Sequence, residues 1–194
     1  MELQIHHVED QNGTPLFSVV RSDDMKRTPP VPLPSPASFP VGDCEGKRLL
    51  LELRWYLEDY LQAPYGAYPQ SAQAVTEALQ AWGEAVFDQL FAGAAQNWYQ
   101  AAKRENFQNF RIKIASDAPE IMAWPWEALY SREDGNYLAL RFPIERQLSR
   151  DLGDPPPLPE DLPQDALHIL GQVLSCNSSP QLCPAPTCRS AFRA

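Results

Sequence analysis

Proline limits this chain more than any other residue. The 194 residues include 20 prolines, most of them in two runs, Thr28 to Pro40 (TPPVPLPSPASFP) and Asp154 to Pro163 (DPPPLPEDLP). Proline fixes φ and has no backbone N–H, so such runs cannot continue a helix and favour extended, semi-rigid spacers. A Pro-rich run is also a form of ligand for aromatic-lined grooves, but the spacer role is the stronger reading. The runs divide the chain into a segment at 1–27, a linker at 28–42, a central block at 43–152, a second linker at 153–166, an apolar segment at 167–174 and a tail at 175–194.

The first segment reads as a β-hairpin. Leu3 to Val8 alternates, Asn12-Gly13 supplies turn chemistry, and Leu16 to Val20 follows as a second strand. His6 and His7 are adjacent, so on a strand they point to opposite faces and make a poor pair for one metal ion. In the central block, Leu50, Leu53, Leu57, Tyr60 and Leu61 follow helical spacing and predict a core-facing stripe, ended by Ala63 to Tyr68 (APYGAY). A second helix starts near Pro69 or Ser71 and carries Val75, Leu79, Trp82, Val86 and Leu90, with Gly93 as its stop. A third covers Ala94 to Arg104. Phe110 to Ile114 is a clean strand whose apolar residues share one face.

The most distinctive stretch is Ala118 to Leu148 (APEIMAWPWEALYSREDGNYLALRFPIERQL). Pro125 suits a first helical position, which puts Glu127 in the first turn near free backbone N–H groups. Ser131 to Asn136 reads as a polar turn, with Glu133 and Asp134 as solvated charge. Tyr137 to Phe142 predicts a strand, and Ile144 to Leu148 another. Leu167 to Leu174 is almost continuously apolar, like a strand covered on both faces. From Ser175 the pattern stops, and the Ser-, Pro- and Cys-rich remainder reads as a disordered tail.

Net charge is −9. An acidic surface repels phosphate, which argues against nucleic acid and anionic membranes as partners. Neither a membrane-spanning run nor a secretory leader is visible, so a cytoplasmic location with reduced thiols is expected. Cys176, Cys183 and Cys188 contain no Cys-x-x-Cys pair, and a zinc site has little support. Thiol catalysis needs a cysteine beside a base and donors for an oxyanion. His6, His7 and His168 offer no such arrangement beyond a bare Cys176–His168 proximity. No catalytic, cofactor-binding or metal-binding residue is assigned.

From about Leu49 to Val173 the chain resembles the N-terminal portion of a CHAT domain, a caspase-like cysteine-peptidase family often attached to TPR helical repeats in bacteria. The resemblance rests on LRWYLEDYLQAPYGAYPQSAQAV, AWGEAVFDQLF, FRIKIAS, APEIMAWPWEALYS, YLALRFPIERQL, a proline linker and LHILGQV, in that order, over about two-thirds of the chain. Its most specific part is the Pro-Trp-Glu element followed by an x-Leu-Ala-Leu strand and an Ile-x-Arg strand. It implies an α/β (α+β) fold: a helical hairpin on a small mixed sheet, with 167–174 as the first strand of the caspase-like core. The family's catalytic histidine and cysteine follow later in His-Gly and Ala-Cys segments. His168 and Cys176 match neither, so none is carried over. The expectation is a truncated, non-catalytic interaction or remnant protein whose partner is a TPR-containing or caspase-like chain. The alternatives are one part of a peptidase system completed by a missing segment or partner chain, and a stand-alone peptide-binding adaptor. A strand as apolar as 167–174 also raises self-association.

Overall fold

A computed structural model describes residues 1–42, 46–62, 64 and 68–149. The expectations for the second linker, the 167–174 strand, the tail, His168 and Cys176 to Cys188 lie outside these residues.

The alternation in the first segment forms β1 (Glu2–Glu9), with Leu3 and Ile5 fully buried. The chain turns at Asp10–Thr14, where the Asp10 carboxylate accepts from the Asn12 and Thr14 N–H groups. Gly13 takes a positive φ there (75°). The antiparallel strand β2 (Pro15–Arg21) follows. This hairpin is the middle of the sheet: β1 also pairs in parallel with β4 (Arg111–Ala115), setting Leu3 beside Ile112 and Ile5 beside Ile114. A mixed five-stranded sheet results, in the order β3-β2-β1-β4-β7, where β3 is Val31–Pro32 and β7 (Ile144–Gln147) runs parallel to β4.

The first Pro-rich run is a packed element of this sheet, not a free spacer. Its residues Val31–Pro32 form the short edge strand β3, where proline's missing N–H does no harm. The Thr28 hydroxyl accepts the Val19 N–H (2.9 Å), and Leu33 and Val41 are buried. The Trp82 indole N–H donates to the Pro34 carbonyl at 2.8 Å. A carbonyl acceptor is what a proline still has to offer, and here a core tryptophan takes it.

Helix α1 (Leu49–Trp55) runs on into a π turn at Tyr56–Tyr60. It is followed by α2 (Pro69–Leu90) and α3 (Ala94–Arg104). The stripe expected on α2 is the core: Val75, Trp82, Val86 and Leu90 are buried, while Leu79 packs partly buried against them. After β4 come a short helix α4 (Pro119–Met122), a 3₁₀ turn at Trp126–Ala128, and a two-residue ladder of β5 (Tyr130–Ser131) with β6 (Asn136–Tyr137). The strand expected at Tyr137–Phe142 is absent. Leu138–Leu140 form a 3₁₀ turn, and the Phe142 N–H reaches back to the Leu138 carbonyl at 3.2 Å. Leu138 and Phe142 are both buried, and their four-residue spacing is met by a turn, not by a pleated strand. The fold class is the mixed α+β one expected. Among the described residues no helix is long and apolar enough to cross a membrane.

Candidate functional site

The Trp-Pro-Trp-Glu segment builds a clasp. Pro125 stands just before the 3₁₀ turn, not inside a helix, and orients both tryptophans inward. Their rings stack at 5.5 Å, and Trp126 meets Phe17 at 5.7 Å and Trp82 at 6.4 Å. The Trp126 indole N–H donates to the Ile121 carbonyl (2.8 Å). Glu127 projects from the turn onto Arg146 of β7 in a two-pronged pair, one arm of which is 2.8 Å. The same guanidinium donates to the carbonyls of Met122 (2.8 Å) and Trp124 (3.2 Å). Arg146 holds the Glu127 carboxyl below its usual range. Pro-Trp-Glu and Ile-x-Arg are thus halves of one framework lock, while the Leu-Ala-Leu piece expected as a strand between them is a 3₁₀ turn.

Asp134 corrects a second expectation. It is not solvated charge: its side chain is 3% exposed. Tyr99 Oη donates to it at 2.6 Å, Ser131 Oγ at 2.9 Å, and Lys103 Nζ lies 2.6 Å away. Burial pushes the Asp134 carboxyl up, and these donors more than offset that, leaving it below the ordinary value. Burial, and then Asp134 itself, drive the Tyr99 hydroxyl upward. The neighbouring Glu133 remains largely in solvent and pairs with Lys103 and Gln100. This hub ties α3 to the β5–β6 turn.

His6 and His7 do point to opposite faces. His6 contacts the Gln4 side chain (3.0 Å) on the polar face of the sheet. His7 Nδ1 lies 3.0 Å from the hydroxyl of Ser116, just past β4. A serine beside a histidine invites comparison with nucleophile and base. Ser116 is fully buried, however, and its oxygen already accepts the Ala118 N–H (3.1 Å). The pair joins the ends of two parallel strands, and the serine itself is shut off from solvent. Beside it lies a cleft of about 300 Å³ lined by His7, Glu9, Leu50, Glu120, Ile121 and Trp124. Among the described residues no three His, Cys, Asp or Glu side chains are grouped to hold a metal ion.

The surface that departs furthest from the sequence expectation is the first helix. The stripe expected to face the core does not do so throughout: Leu50, Leu53 and Tyr60 are partly buried, whereas Leu57 and Leu61 are 54% and 50% exposed; outside the stripe, Leu49 is buried and Leu51 is 69% exposed. The segment ends in the π turn. Its bond from the Leu61 N–H to the Tyr56 carbonyl (3.0 Å) spans five residues and shifts the last turn out of helical phase. Aromatics take the inward side: Tyr56 stacks on Tyr60 at 5.5 Å, and Trp55 meets Tyr60 and Tyr68 at 5.7 and 6.3 Å. Arg54 and Glu58 pair across the exposed face at 2.9 Å.

No protein-family model, curated protein or solved structure matches this chain. The outward face of the first helix is the candidate site that its own geometry offers.

Proposed function

We propose that this chain is a non-catalytic interaction protein of the CHAT type, corresponding to the N-terminal portion of that caspase-like domain, and that it docks a protein partner on the outward face of its first helix. The observation that carries the reading is the row of leucines, Leu51, Leu57 and Leu61, left half or more exposed around an ion pair. Apolar side chains ringed by charge mark surfaces that meet other proteins. A π turn is a rare distortion, frequently found at functional sites, and Leu57 lies within this one. Nearby Tyr68 is exposed and adds the aromatic character common in interfaces.

The non-catalytic part of the proposal is supported by where the charges go. Glu127 and Arg146 neutralise each other in the framework lock, and Asp134 is enclosed by its three donors. The family resemblance points to a TPR-containing or caspase-like chain as the heterologous partner, in a bacterial cytoplasm. The test is affinity capture with the full chain beside a Leu57→Asp/Leu61→Asp variant of unchanged helix content, together with a peptidase assay. Proteins retained by the parent and lost by the variant, without peptide turnover, are expected. Equal retention by both, or turnover abolished by Cys176→Ala, would overturn the proposal.

A further inference from the structure

The cleft beside His7 opens at a particular place in the sheet. From β1 the chain goes out to one side through β2 and β3, and only afterwards adds β4 and β7 on the other. β1 and β4 are parallel neighbours, so their carboxyl ends lie side by side, with His6 level with Ala115. In open sheets the crevice outside the carboxyl ends of such strands, where the sheet reverses its direction of growth, is where ligands bind. His7 and Glu9 from the end of β1 line the cleft, and so do Glu120, Ile121 and Trp124 from the segment that follows β4. Its volume is about 300 Å³, against the ~150 Å³ that takes up a benzene molecule. There is room for a ring and a short chain.

Charge selects the ligand. Glu127 is committed to Arg146, and Asp134 to Tyr99, Ser131 and Lys103. Glu9 and Glu120, by contrast, are exposed and have neither a hydrogen bond nor an ion pair among the described residues. His7 engages Ser116 through Nδ1, while its Nε2 is buried with no partner among the described residues, so the fold leaves polar capacity unused here. No lysine or arginine lines the cleft, and Leu50, Ile121 and Trp124 make the rest of its wall apolar. An anionic ligand would meet like charge. We propose that the cleft binds a small organic cation, its primary ammonium group set against Glu9 and Glu120 and its apolar body against Ile121 and Trp124. The inference is independent of the helix face, because Leu51, Leu57 and Leu61 do not line the cleft. Carboxylates this exposed hold a cation weakly, so the affinity is in the millimolar range.

Calorimetric titration of the full chain with phenethylamine tests the site, at about pH 8, where imidazoles are neutral and alkylammonium groups are charged. The uncharged 2-phenylethanol and the anionic 3-phenylpropionate are expected to bind about tenfold more weakly or not at all. n-Butylamine carries the charge without the ring and stands for a lysine side chain; it too is expected to bind more weakly. The double variant Glu9→Gln/Glu120→Gln should lose the preference for amine over alcohol. Ala37→Phe, a substitution at an exposed lining position, should fill the cleft and abolish binding. All three positions are exposed, and thermal melts check that each variant folds like the parent. A parent that takes up no phenethylamine refutes the proposal. So does an alcohol or carboxylate that binds as tightly as the amine, or an amine preference that survives the double variant. Butylamine equal to phenethylamine would give the cleft to a protein's lysine and overturn the small apolar cation. Binding that survives Ala37→Phe would place the ligand outside the cleft. The helix face stands or falls by its own capture test.

Discussion

Gly83 sits in the middle of α2, where helix propensity alone favours alanine by about 1 kcal/mol. The structure reverses that sign. A Cβ built on Gly83 would lie 1.8 Å from the Ala128 carbonyl oxygen, 2.8 Å from its carbon and 3.3 Å from the Tyr130 nitrogen. Those atoms are backbone, so no side chain can swing aside. Cβ atoms essentially never come within 3.0 Å of a neighbour; the helix and the 3₁₀ turn would have to part by about 1 Å, a gap that forfeits a quarter to a half of each dispersion contact across it. The contacts at stake are those between Trp82 on α2 and Trp124 and Trp126 on the turn, at ring separations of 6.2 and 6.4 Å. Overpacking of this kind costs about 1–3 kcal/mol and occasionally more, and the absence of any yielding side chain puts Gly83→Ala at the upper end. For a chain of this size that lowers Tm by roughly 5–10 °C. Thermal and urea denaturation of parent and variant measure it. A Gly83→Ala variant as stable as the parent, or more so, would show that propensity wins and that helix and turn are not in backbone contact.

Trp126→Ala removes a fully buried indole and should cost about 3–5 kcal/mol in urea unfolding. Arg146→Ala leaves the Glu127 carboxylate and two carbonyls without their donor and should cost about 1–3 kcal/mol, with Glu127→Gln costing less in the same assay. Asp134→Asn should bring the Tyr99 phenol back down toward its ordinary range, read from phenolate absorbance against pH, because it removes the negative charge on which the hydroxyl rests. His6 is held below the ordinary histidine value by burial and by the Arg27 charge. The unfolded chain therefore takes up this proton first, and stability should fall as pH drops below about 6.5 toward the folded value. His6→Gln should flatten that part of the stability–pH curve, and an unchanged curve would refute the assignment.

Local pattern was enough for much of the fold. The alternation of Leu3 and Ile5, the stripe from Val75 to Leu90, and the Phe110–Ile114 strand each state a period and an inward face, and burial follows from those two facts. Pattern could not show that β1 lies at the centre, because the pairing of Leu3 with Ile112 joins residues more than a hundred positions apart. The first proline run shows the same limit from the other side. Its lack of N–H donors excludes it from helix and inner strand, yet its carbonyls remain acceptors, and only the arrival of Trp82 at Pro34 decides that it is packed. Glu127 and Arg146 belong to one motif, but nothing in the sequence says that they touch. The polar Asp-Gly turn marks Asp134 as surface; Ser131 three residues earlier is a faint sign otherwise, while Tyr99 and Lys103 reach it from a helix distant in sequence. The π turn left no mark at all. Leu57 and Leu61 keep helical spacing in the sequence, and no side-chain periodicity encodes the Leu61-to-Tyr56 backbone bond of the turn that holds Leu57.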